Sequence, residues 1–275
     1  MRHTFGAGAI VLTAVWLGGC VPPLPGGALE GAAGRSGGTG SGASGGNGGT
    51  GAGGAACPRN CDPPSGCAEP AWSGSAVSSF ESGCATLDAV DGRDGGWFVY
   101  QTANSTATPG PTQPFSVFCG GGDGSCFSAC VSGMLNGNAA GDWPSVGIGF
   151  TPRANAAAYD ASRYGGIDFW LRAIVGPRST LRLLVPLQAD TMVGNGDGTC
   201  TTNCFDAYTV PLDGNPSWQH LSIPFGRLTQ QGVGPPEPWD PKTVISFQWA
   251  VAATASPQLT DEPYAICIDQ VQLVP

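Results

Sequence analysis

The chain has 275 residues, a formal net charge of −9 and only 11% charged residues, with Lys242 its single lysine. No basic patch is available to meet phosphates, so nucleic acid is excluded as a partner. The 45 glycines and 24 prolines break the chain into short apolar runs, none of which keeps a 3.6-residue period, and this excludes a helical architecture.

Residues 1–19 read as a signal peptide. Met1-Arg2-His3 supplies the charged start and Ala9 to Trp16 an apolar run too short to span a bilayer. Leu17-Gly18-Gly19 then forms a small-residue cleavage site. Ending on Leu-Gly-Gly-Cys, the segment resembles a bacterial lipoprotein signal, which implies that Cys20 is acylated and becomes the mature N-terminus. Val21 carries no inner-membrane retention acid, so a lipid-anchored place in the cell envelope, at the outer membrane or cell surface, is expected. That lipid would be the sole membrane contact. Residues 20–56 continue as a Gly/Ser/Ala linker that buries too little apolar surface to order itself. Its reach is roughly 30–35 Å.

Eleven cysteines less Cys20 leave ten, an even number that in an exported domain predicts disulfides. They are Cys57, Cys61, Cys67, Cys84, Cys119, Cys126, Cys130, Cys200, Cys204 and Cys267. Spacing makes Cys200–Cys204 a candidate local clip, and Cys57, Cys61 and Cys67 a stapled entry segment over residues 57–77. A zinc site at Cys57-x3-Cys61 and Cys126-x3-Cys130 lacks partners, since His220 is the one histidine outside the signal.

Residues 78–275 form one domain by length. Strands are predicted at 97–100, 115–118, 145–150, 166–172, 181–187, 208–212, 219–223, 244–251 and 265–273, with a helical turn near 225–230. Alternation puts Ile167, Phe169 and Leu171, and likewise Leu181, Leu183, Val185 and Leu187, on the core side. Turns such as Asp213-Gly214-Asn215-Pro216 separate the strands. The fold class is all-β: a jelly-roll β-sandwich of two antiparallel sheets.

The order of motifs carries more than any one of them. Phe80-Glu81-Ser82-Gly83, Asp91-Gly92-Arg93-Asp94-Gly95-Gly96-Trp97 and Gly147-Ile148-Gly149-Phe150 come first. Tyr159-Asp160 to Trp170, Cys204-Phe205-Asp206-Ala207-Tyr208 and Ile268-Asp269-Gln270-Val271 follow. Over residues 78–275 this series resembles the galactose-binding-like β-sandwiches, in particular the family 11-like carbohydrate-binding modules. The resemblance implies a glycan-binding face and a structural calcium between the first and last strands, held by Glu81 and Asp269. Asp88, Asp91 and Asp94 are further candidate donors. A polysaccharide or cell-surface glycan is the implied partner, and a monomer is expected.

Sugar rings present an apolar C–H face and a rim of hydroxyls, so their sites combine an aromatic platform with planar polar groups. Trp170, Arg182, Gln188 and Gln248 are expected to share one outward face, with Asp206 and Tyr208 in the adjacent loop and strand. Catalysis is not expected. The two Gly-x-Ser-x-Gly matches lie in the linker, where no strand-to-helix elbow can form, and no phosphate loop is present. The alternatives are an adhesive envelope protein without sugar affinity and a polysaccharide hydrolase whose paired carboxylates only spatial separation would reveal.

Overall fold

The structure, a computed structural model, describes residues 74–81, 87–113, 117–137, 144–204, 206–253 and 261–275. Cys20, Cys57, Cys61, Cys67 and Cys84 lie outside the described residues.

Twelve strands are described: β1 (Ser75–Ser78), β2 (Gly96–Gln101), β3 (Thr106–Thr108), β4 (Val117–Cys119), β5 (Phe127–Leu135) and β6 (Ser145–Thr151), then β7 (Gly166–Val175), β8 (Ser179–Val185), β9 (Tyr208–Leu212), β10 (Gln219–Pro224), β11 (Phe247–Ala253) and β12 (Glu262–Val274). They form two sheets in which every pairing is antiparallel. Sheet A runs β10-β7-β12-β5-β3, with β1 added on β12 and β4 on β5; sheet B runs β2-β6-β11-β8-β9. This is the two-sheet jelly-roll sandwich the patterning predicts. Among the described residues the helical segments are short 3-10 turns, one of them Phe225–Arg227.

The alternation in β7 and β8 is realised as read. Ile167, Phe169, Leu171, Leu181, Leu183, Val185 and Leu187 are all buried. Between the sheets Trp249 is fully buried, its ring 5.0 Å from Phe169 and 6.4 Å from Phe150. Trp97 stacks on it from β2 at 6.2 Å. These tilted, edge-on and stacked ring pairs bring the two inner faces into contact.

Three strands escape the sequence reading, β1, β5 and the three-residue β3, which forms by pairing with β5. β5 alternates Phe127, Ala129, Val131 and Leu135 inward with serines and Cys130 between them. Its small polar residues carry little β-propensity. β1 begins at Ser75, three residues before the expected start of the domain, because Ser and Ala give no strand signal until β12 pairs with them.

Two disulfides join described residues. Cys130–Cys267 links directly opposed positions of β5 and β12. Cys200–Cys204 closes the local clip that its spacing suggested. Cys119 and Cys126 are also disulfide-bonded.

Candidate functional site

The outer face of sheet B is the clearest built surface. Strand alternation sends Trp97 and Val99 inward, so Phe98 and Tyr100 face out on β2. Register then sets Phe98, Gly149, Gln248 and Leu184 abreast, with Tyr100, Gly147, Ala250 and Arg182 in the next row. The middle strands thus contribute Gly147, Gly149 and Ala250, with Gln248 the one large side chain among them in these rows, while larger side chains rise on β2 and β8. The result is a shallow trough with an aromatic wall on β2, faced by Gln248 on β11 and by Arg182 and Leu184 on β8.

The glycines are required. A Cβ on Gly147 would stand 2.5 Å from the Tyr100 ring and 2.7 Å from the Trp249 carbonyl; on Gly149 it would stand 2.5 Å from the Phe247 carbonyl. Tyr100 is buried along this floor, and burial pushes its hydroxyl up to about 12. Phe98 remains half-buried. Gln248 donates to the Ser246 hydroxyl at 2.8 Å, which fixes its amide above the floor.

Arg182 is aimed by a chain of contacts. Its guanidinium donates to the side-chain carbonyl of Gln231, in the loop that follows the Thr209–Thr229 bridge at the β9 edge. That loop is held by Asp206. One carboxylate oxygen accepts from the Gln231 amide at 2.8 Å, the other from Gly232 at 3.0 Å and Gly234 at 3.1 Å. Asp206 is buried with these donors on it. Both of its oxygens are engaged by the loop that carries Gln231, the partner of Arg182.

Other expected site residues fall elsewhere. Tyr208 pairs with Val185 on the inward side, its ring edge-on to Trp239 at 5.1 Å and its hydroxyl donating to the Glu237 carbonyl. Gln188 follows β8, where its backbone N–H donates to the Thr243 carbonyl. Nearby Asp190 is buried, and desolvation pushes its carboxyl up to about 7. Trp170 lies on the outer face of sheet A, opposite the trough, packed over Gly122 and 5.4 Å from the His220 ring. The expected single face of Trp170, Arg182, Gln188 and Gln248 is therefore divided. Arg182 and Gln248 meet in the trough, joined by Phe98, Tyr100 and Gln231.

Glu81 and Asp269 do come together, about the Ser125 hydroxyl. Ser125 donates to Glu81 at 2.5 Å, and the Cys126 and Phe127 amides also donate to it. Asp269 is fully buried and accepts from the amides of Gly122 at 2.9 Å and Gln270 at 2.7 Å. Burial, with the Glu81 charge adding to it, pushes Asp269 up to about 8. Among the described residues no basic side chain bonds to either carboxylate, and no group of three His, Cys, Asp or Glu converges for a metal. Two carboxylates and a hydroxyl suit a hard cation as part of its shell. Asp91 and Asp94 instead serve as staples, the first on Ser75, Tyr164 and Arg163, the second on Arg153 and the Ala154 amide.

No family model and no curated protein matches the chain. Solved structures do. One is the family 11 carbohydrate-binding module of a cellulosomal cellulase of Clostridium thermocellum, at 12% identity and a TM-score of 0.44 over 68% of this chain and 92% of that one. A family 11 module of the same organism, solved with a β-1,3-1,4-mixed-linked tetrasaccharide, matches at 15% identity and 0.45 over 68% and 93%. A family 30 module from a cellulosomal cellulase of that organism matches at 13% identity and 0.37 over 57% and 79%. These are the kinds of module that the sequence motifs resemble. At such identities and scores, the ligand has to be argued from the chain's own residues.

Proposed function

We propose that this chain is a glycan-binding module that lays a polysaccharide across the trough of sheet B. The observation that carries the proposal is the trough itself. A floor of Gly147, Gly149 and Ala250 lies between the half-buried Phe98 ring and the planar groups of Arg182 and Gln248. Phe98 offers the apolar surface for a sugar's C–H face; the guanidinium and amide meet its hydroxyls. The described lining residues named above include no carboxylate and no histidine, whereas glycoside hydrolysis calls for a flanking carboxylate pair. Binding without turnover is the reading that follows.

Affinity electrophoresis against plant, fungal and bacterial polysaccharides tests it. At least one glycan is expected to retard the wild-type domain. Arg182→Ala and Phe98→Ala should each weaken retardation, losing about 0.5–1.5 kcal/mol for a neutral contact and more for a charged one. Arg182→Ala should leave the thermal transition nearly in place, since a half-exposed surface arginine adds little stability. Retardation by no glycan would hand the assignment to the adhesive, sugar-free alternative.

A calcium ion between Glu81 and Asp269 is part of the same proposal. It would supply positive charge between the buried Asp269 and the part-buried Glu81 and so tie the segment after β1 to β12. A ligand held only by the folded state adds about 2.7 kcal/mol at 100 times its dissociation constant. Chelation is therefore expected to lower the melting temperature, and Asp269→Ala to abolish that response. Identical transitions with and without chelator would remove the ion from the account.

The anchor completes the proposal: Cys20 is lipidated and holds the module at the outer membrane or cell surface through residues 20–56. The support is the Leu17-Gly18-Gly19-Cys20 sequence and the composition of the linker. Cys20→Ser should release the protein from membranes and abolish lipid labelling. Membrane partition unchanged in that variant would refute the anchor.

A further inference from the structure

The outer face of sheet A, on the far side of the sandwich from the trough, carries a strip of aromatic and charged side chains. β7 turns Asp168, Trp170 and Arg172 outward, and β10 sets His220 opposite Trp170. The Arg172 guanidinium lies 5.1 Å from the Trp218 ring centroid and 3.6 Å from the Cys267 sulfur. Beside it, Ile174, Ala265 and Cys267 line a shallow apolar hollow.

Among the described residues Arg153, Arg163 and Arg178 each hold a carboxylate. Arg172 forms no ion pair among the described residues, as is true also of Arg93, Arg182 and Arg227, and is set apart from these by its seat on an indole. It is half-buried against an indole, and that desolvation lowers its affinity for its proton. One guanidinium nitrogen turns to the Cys267 sulfur, a weak acceptor; the fork meets no anion, and a carboxylate is the group that fits it. The ring of Trp218 pre-orients that fork. Trp170, two residues away on the same face, stands about 7 Å along the strand. This spacing suits one sugar ring whose carboxylate reaches Arg172.

We propose that this strip is a second glycan site, for a uronate-bearing polysaccharide, with Trp170 taking the sugar ring and Arg172 its carboxylate. The site is independent of the trough of sheet B. Attraction has to be local, because the chain carries a net charge of −9. Asp168, the acid on the same strand, is nine-tenths buried and faces His220 at 3.8 Å, not Arg172.

The test uses the Cys20→Ser protein, free of the proposed anchor, with polygalacturonate and its fully methyl-esterified form, which keeps the ring and removes the charge. Polygalacturonate is expected to retard the wild-type domain in affinity electrophoresis, and the ester to retard it at least about tenfold less, as befits a charge-assisted contact. Arg172→Gln should abolish the difference between the two polymers. Arg172→Lys should keep part of it, since the charge stays and the fork is lost. Equal retardation by acid and ester, or none by either, would overturn the proposal on the wild-type protein alone. So would loss of the difference in Arg182→Ala, which would put the acid in the trough.

Discussion

Trp249→Ala is expected to destabilise the domain by about 3–5 kcal/mol, the usual range for deleting a buried tryptophan. The ring has no solvent exposure and meets Trp97, Phe150 and Phe169, which come from three strands of both sheets. Its removal leaves a cavity that rigid β-strands cannot close. Since domains of this kind are stable by only about 5–15 kcal/mol, the variant should unfold at markedly lower denaturant, with the slope of the transition unchanged. A midpoint close to wild type would mean that the two sheets do not pack about this ring.

Asp206→Ala is the second large effect, and it links stability to the site. Three backbone amides lose their acceptor at once, two of them on the exposed Gln231 and Gly232, and a donor left unmet costs about 1–3 kcal/mol where it is buried. The loop can relieve part of this by opening to water, so about 2–4 kcal/mol is expected by the same reasoning. Opening also withdraws Gln231 from Arg182. Glycan affinity should then fall even at temperatures where the variant is fully folded. Wild-type affinity in a folded Asp206→Ala protein would show that Arg182 needs no positioning.

Much of this fold is legible in the sequence because strand alternation reports burial directly. Ile167, Phe169 and Leu171, like Leu181, Leu183 and Val185, land on the core side as their spacing dictates. Alternation does not report which sheet a strand joins. β7 and β8 are consecutive in the chain and enter different sheets, so the outward residues of one emerge on the opposite side of the molecule from those of the other. That is why Trp170 and Arg182 are separated. Asp206 shows the same limit in a loop: its partners arrive about 25 residues later at Gln231, Gly232 and Gly234. Phe98 could have been found, since Trp97 and Val99 cannot both face inward unless Phe98 and Tyr100 face out. The approach of Glu81 to Asp269 was implied by the motif resemblance and by nothing in their spacing, which is 188 residues (269 − 81).

The most direct test of glycan binding in the trough is an amide and side-chain chemical-shift map, recorded as a retarding neutral oligosaccharide is titrated into the labelled domain. Shifts are expected at Phe98, Gly149, Arg182, Gln231 and Gln248, with Trp170 and Trp218 silent. Perturbations confined to sheet A, or scattered without reference to the trough, would contradict the assignment.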